Sequence, residues 1–188
     1  AAGQVEIDNV SVVLVTDTPP QVITEEPQVK APIPQQEASE TLSLFSDTYG
    51  DLSNINLDPD WGQSTDSTVE TLGGERVLKY AGLNYQGTAF EDNKQDASGF
   101  THLHFDYWSN DTDAFEFFLI SDGPVEVAHS VTVEKGQWVG VDVPLSAFDG
   151  VDLTQVMQLK VVGSGTLFLD NIYFHNGVVD SVVLTEPA

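Results

Sequence analysis

An all-β sandwich of two antiparallel sheets is the fold class this sequence predicts for residues 43–176. Three observations predict it: seven runs of period-2 alternation, Gly, Asp, Asn and Pro clusters between the runs, and a single helix-like turn at 144–148. The chain has 188 residues, 40% of them apolar and 10% aromatic, enough to bury a core. A span of roughly 130 residues suits one sandwich.

Along the chain, residues 3–12 match residues 165–174 position by position. Both read Gly-x-aliphatic-x-aliphatic-Asp-Asn-aliphatic-x-apolar. Self-similarity of this kind marks repeated modules, so residues 1–16 are expected to be the closing strand of a preceding sister module. Residues 17–42 hold five of the nine prolines, interspersed with Gln and Glu and without an aromatic residue. Such a segment favours extended polyproline-like chain and is expected to be a linker.

Strands are then expected at 77–81, 101–108, 114–121, 127–133, 138–143, 156–162 and 166–174, because apolar side chains alternate with polar ones there. In the last run the alternation slips at Asp170-Asn171. Leu167 and Leu169 share one phase, Ile172 and Phe174 the other, which predicts a β-bulge. Residues 177–188 begin a following linker or tail.

Charge and composition exclude several function classes. Six Lys and Arg against thirty Asp and Glu give a net charge of −24. That field repels phosphate backbones and anionic headgroups, so neither nucleic acid nor a membrane is an expected partner. No cysteine is present, which removes disulfides, thiol catalysis and Cys-ligated zinc. No apolar run approaches the ~18 residues a membrane helix needs.

In the run 101–108, Leu103, Phe105 and Tyr107 share a core face, and His102, His104, Asp106 and Trp108 share the other. Two His and an Asp could ligate a transition metal, a polar face carrying a Trp could line a sugar groove, and both could be ordinary packing. Trp138 opens a regular strand and reads as structural. Trp61 follows Asp58-Pro59-Asp60 with little apolar company, so its indole either plugs an end of the core or offers a flat platform to the apolar face of a sugar. Tyr85, between the amides of Asn84 and Gln86, has a similar claim.

Among cations, calcium fits the many carboxylates. An EF-hand at 54–65 is excluded, since Pro59 occupies its glycine position and Thr65 the place of its bidentate acid. Asp47 and Asp51 near the first strand and Asp170 on the last are the better candidates, because first and last strands of a sandwich often lie side by side. Catalytic signatures are thin. Ser164 stands in Gly-Ser-Gly rather than a nucleophile elbow, and nothing raises Glu116 and Glu126 above the other acids as a glycosidase pair. The chain is read as non-catalytic.

The stretches Leu44-Phe-Ser-Asp-Thr-Tyr49, Asp60-Trp-Gly-Gln63, Lys79-Tyr-Ala-Gly-Leu-Asn-Tyr-Gln-Gly87, His102-Leu-His-Phe-Asp-Tyr-Trp108, Trp138-Val-Gly-Val-Asp-Val-Pro-Leu-Ser-Ala-Phe148 and Leu169-Asp-Asn-Ile-Tyr-Phe174 resemble galactose-binding-like jelly-roll carbohydrate-binding modules. Modules of that kind are attached to secreted polysaccharide-degrading enzymes of marine bacteria, laminarinases among them. The resemblance covers about residues 43–175. It implies a non-catalytic jelly-roll sandwich with a structural calcium held by Asp47 and Asp170, to which Asp51 is added. It also implies sugar contacts from Trp61, Tyr85 and Trp108, with His104 and Gln86 as polar partners, on one sheet face or on the loops at one end.

The function expected is targeting of a secreted or cell-surface bacterial protein to polysaccharide, a neutral β-glucan such as laminarin first. Sister and catalytic modules, the latter a glycoside hydrolase, would be covalently linked. The competing reading is a calcium-stiffened structural or adhesive spacer, in which Trp61 and Tyr85 would be buried or contact a neighbouring module.

Overall fold

A computed structural model describes residues 25–177. The expected closing strand at 1–16, residues 17–24 of the expected linker and the tail beyond 177 lie outside the described residues. Ten strands form: β1 (Thr41–Phe45), β2 (Asp66–Leu72), β3 (Glu75–Ala81), β4 (Tyr85–Ala89), β5 (His102–Trp108), β6 (Ala114–Ser121), β7 (Val125–Thr132), β8 (Val139–Pro144), β9 (Val156–Val162) and β10 (Leu167–His175). The helix-like turn is a 3-10 turn at Leu145–Phe148. One sheet runs β2-β3-β10-β5-β8, with β1 also pairing β10; the other runs β4-β9-β6-β7. Every pairing is antiparallel. The predicted two-sheet sandwich is the observed architecture.

All seven predicted runs are strands. The three that alternation did not reveal are β1, β2 and β4. The polar β2 lies at a sheet edge with both faces largely wet, and β4 has a glycine at its centre. Between the sheets the inward residues of β5 and β10 meet those of β6 and β9: Leu103, Phe105, Tyr107, Leu167 and Leu169 against Phe115, Phe117, Leu119, Leu159 and Val161. The Phe105 and Phe117 rings stack across the interface at 4.3 Å, nearly parallel.

The predicted bulge is present. The β10–β5 register shifts between Asp170 and Tyr173, and Asn171 adopts a left-handed φ of 50°. Its side chain is a hub, accepting from Ser46 Oγ (2.9 Å) and donating to Asp106 Oδ2 (2.8 Å) and to the Pro32 carbonyl (3.0 Å).

All nine residues of β10 are buried, on both faces, which corrects the linker reading over its described part. Residues 25–37 lie as a strap on the outer face of the six-stranded sheet. Trp138 Nε1 donates to the Val29 carbonyl, Tyr173 Oη to Gln36 Oε1 and Tyr49 Oη to the Gln36 carbonyl. Lys79 pairs with Glu26 at 2.6 Å, Lys30 pairs with Glu75, and Ala31 is buried. Proline does extend this segment, but the extended backbone meets donors and an apolar surface that hold it.

Candidate functional site

Three rows of side chains cross the outer face of the four-stranded sheet, set by strand register. One row is Tyr85, Val162, Glu116 and Ser130; the next is Gly87, Lys160, Phe118 and Ala128; the third is Ala89, Gln158, Ile120 and Glu126. The Trp61 indole lies over Gly87. A Cβ at residue 87 would stand 2.1 Å from Trp61 Cζ3, so the absence of a side chain lets the ring rest on the strand backbone.

The loop carrying Trp61 is braced from below. Tyr85 Oη donates to the Trp61 carbonyl (2.8 Å), Trp61 N donates to Gln63 Oε1 (2.8 Å), and Gln63 Nε2 donates to the Pro59 carbonyl (2.8 Å). The indole keeps partial exposure. Beside it, Ile120, Pro124, Glu126, Gln158 and Lys160 complete a shallow cleft of about 170 Å³. Lys160 Nζ stands 4.2 Å over the Phe118 ring and pairs with Glu126. The face thus offers flat aromatic surface, an amide, an ammonium and carboxylates, the mixture that suits a polyhydroxylated ring.

Of the five predicted sugar contacts, Trp61 and Tyr85 share this face. The other three do not join them. Gln86 points inward, 1% exposed, and its amide donates to Asp58 Oδ1 and the Gly87 carbonyl. Alternation along β4 puts it opposite Tyr85. Trp108 lies on the other sheet, 3% exposed, edge-on to Phe168 at 5.7 Å and bordered by the strap. His104 is on that same sheet, stacked on Tyr173 and bonded to Asp142. Phe118, Lys160 and Gln158 also line this face without having been singled out in the sequence, and Glu126 had been weighed only as a glycosidase acid. The signal for one of them was present: Phe117 and Phe118 are adjacent in an alternating strand, so one must face outward.

The three predicted calcium ligands do not assemble into a ligand set. Asp47 accepts from Arg76 N (2.6 Å) and Arg76 Nε (2.7 Å), and Asp51 accepts from both terminal nitrogens of the same guanidinium (2.6 and 2.9 Å). The guanidinium bridges these two acids, and it is fixed further over the Phe45 ring. Asp170 is buried, with Oδ1 accepting from Asn171 N, and lies close enough to Asp47 to feel its charge. Burial, and then the charges of Asp106, Asp47 and Glu75, raise its carboxyl to about 7 against the one bond that lowers it.

Glu116 and Glu126 do share the outer face. Glu126 is opposite Ile120, four residues along β6 from Glu116, so their backbones stand about 14 Å apart. Glycosidases work through two carboxyl groups set roughly 5–9.5 Å apart, whereas the Glu126 carboxylate here is engaged by Lys160. Larger clefts lie elsewhere, such as one of about 620 Å³ between Phe100, His102, Leu145 and Leu153. Its lining lacks a flat exposed indole.

No family profile matches the sequence, and no curated protein does. Solved structures match strongly. The family 11 carbohydrate-binding module of Clostridium thermocellum, solved with a β-1,3-1,4-mixed-linked tetrasaccharide, is 19% identical with a TM-score of 0.53, over 74% of this chain and 96% of its own. The family 30 module of a cellulosomal cellulase of the same organism is 15% identical with a TM-score of 0.54, over 72% and 97%. This chain has the fold of those carbohydrate-binding modules. A further match is an exo-β-agarase, 19% identical with a TM-score of 0.55, in which 72% of this chain corresponds to 25% of the enzyme.

Proposed function

We propose that this protein is a non-catalytic carbohydrate-binding module that grips a neutral polysaccharide, a β-glucan such as laminarin first, on the outer face of its four-stranded sheet. The observation that carries this reading is the Trp61 indole laid flat on Gly87 and braced by Tyr85. A sugar ring stacks its C–H face on the indole while Gln158, Glu126 and Lys160 meet its hydroxyls. The fold shared with a module solved on a mixed-linkage glucan fragment supports the ligand class.

A neutral glycan is favoured because the −24 net charge repels anionic ones. On this reading the site holds its ligand without cleaving it. Attached to a secreted bacterial glycoside hydrolase, it would keep the catalytic part near its substrate by raising effective concentration. The partial exposure of Trp61 and Tyr85 disfavours the spacer reading in the form that buries both within this module; in the form where they contact a neighbouring module, glycan retention decides.

Affinity electrophoresis through gels containing laminarin or mixed-linkage glucan tests the proposal. The native chain should be retarded, and Trp61→Ala should migrate as in a glycan-free gel with its melting temperature within a few degrees of native. Trp108→Ala should instead lose about 3–5 kcal/mol of stability, the cost of emptying a buried indole site. Absence of retardation on any neutral glucan would refute the proposal.

A further inference from the structure

On the opposite side of the sandwich, three neighbouring strands bring a second constellation together. His104 on β5, Asp142 on β8 and His175 on β10 each offer one ligand atom, and the three atoms lie within 4.8 Å of one another. His104 Nδ1 stands 2.7 Å and His175 Nε2 2.9 Å from the same oxygen, Asp142 Oδ1. The alternation of β5 had suggested two His and one Asp on one strand. The structure keeps only His104 of those and supplies the other two ligands from strands distant in sequence.

We propose that His104, Asp142 and His175 form a binding site for a divalent transition-metal ion, with zinc the best match to the donors. Two imidazole nitrogens and one carboxylate oxygen are a set that zinc accepts and that calcium or magnesium, which prefer oxygen alone, does not. The surroundings are those of a built site. His104 Nε2 faces Asp106 Oδ1 at 3.5 Å, and Asp106 is itself buried and held by Asn171 Nδ2. A carboxylate behind a ligating imidazole orients the ring and raises its basicity. The Tyr173 ring stacks on His104 at 4.7 Å.

Gly140 makes room for this arrangement. A Cβ there would stand 3.0 Å from Asp106 Oδ1 and 3.2 Å from His104 Cε1. His175 is 1% exposed, while Asp142 is nearly half exposed, so an ion enters past the carboxylate and retains water on that side. Binding replaces the proton on His104 Nδ1. At His175 the proton moves from Nε2 to Nδ1, so the bond that Gly177 N now donates to Nδ1 (2.9 Å) must open.

The test uses the whole chain, stripped with a chelator and returned to a non-coordinating buffer near pH 7.5, with zinc chloride as the probe. Calorimetry should give one saturable site, and zinc but not calcium should raise the melting temperature. Asp142→Asn, at a half-exposed position, should keep the fold and weaken zinc at least tenfold. By NMR, zinc should move the imidazole resonances of His104 and His175 and the Gly177 amide together. No saturable zinc binding, equal affinity in folded Asp142→Asn, or shifts confined to His102 or His129 would each overturn the proposal.

Discussion

Two tryptophans show how little a residue type settles before its neighbours are known. Trp61 and Trp108 both stand beside polar side chains in sequence. Trp61 meets a strand with no side chain at residue 87 and stays open, whereas Trp108 meets Phe168, Val77 and the strap and is enclosed. The contrast yields a test at one atom. Gly87→Ala puts a methyl where the indole lies, 2.1 Å from Cζ3, and lifts the ring off β4. Laminarin oligosaccharide affinity, measured by calorimetry, should drop at least tenfold while the melting temperature changes by a few degrees only. Unaltered affinity would mean that the seated ring is not the platform. Sequence could nominate Trp61 and Tyr85 because loop aromatics without apolar company need a reason. It could not nominate Lys160 or Gln158, since nothing local says that the outer side of β9 faces a bound ring rather than bare solvent.

At the scale of elements, alternation located seven strands from the period-2 polarity of their side chains, even β10, which is buried on both faces, and it located the bulge, because Asp170-Asn171 shifts the phase of β10. It was silent on β2, whose faces are alike, and on β1 and β4, which are short. The strap was misread for a related reason. Proline and glutamine content describes what a segment does alone, while docking depends on a receiving surface built from β3, β5, β8 and β10. That surface is now visible, and its importance can be measured. A chain starting at Ala38 loses the bonds from Trp138, Asn171 and Tyr173 to the strap and uncovers Trp108. Its thermal midpoint should fall by at least 5 °C, with quenchable fluorescence from newly wetted indoles. An unchanged midpoint would reduce the strap to a passive covering. The acids around Arg76 carry the same lesson: Asp47 and Asp51 were expected to meet Asp170 around an ion, and the cation they enclose is a guanidinium from β3.

For the whole molecule, charge sets the response to pH. Burial alone would lower the His104 imidazolium, but its bonds to Asp106 and Asp142 outweigh burial and raise it from 6.5 to about 9. Stability from this group is complete below about 6.5 and lost as pH rises through about 9, on the order of 3 kcal/mol. Asp170, raised from 3.8 to about 7, adds to the same trend, because its ionisation between those values costs the folded state more than the unfolded one. Asp142 acts oppositely: the bond from His104 leads in lowering it to about 2, so its contribution is present above 3.8 and lost as pH falls through about 2. Repulsion within a surface of net charge −24 also eases as carboxylates begin to protonate. The melting temperature in chelator should therefore peak near about pH 4–5 and decline by at least ~6 °C towards pH 9, at ~2–4 °C per kcal/mol for a chain of this size. Salt should flatten the surface part of that decline and leave the step around His104, whose side chain is largely shielded, in place. A profile flat from pH 5 to 9, or one whose whole slope vanishes in high salt, would show that His104 and Asp170 do not titrate as their surroundings require.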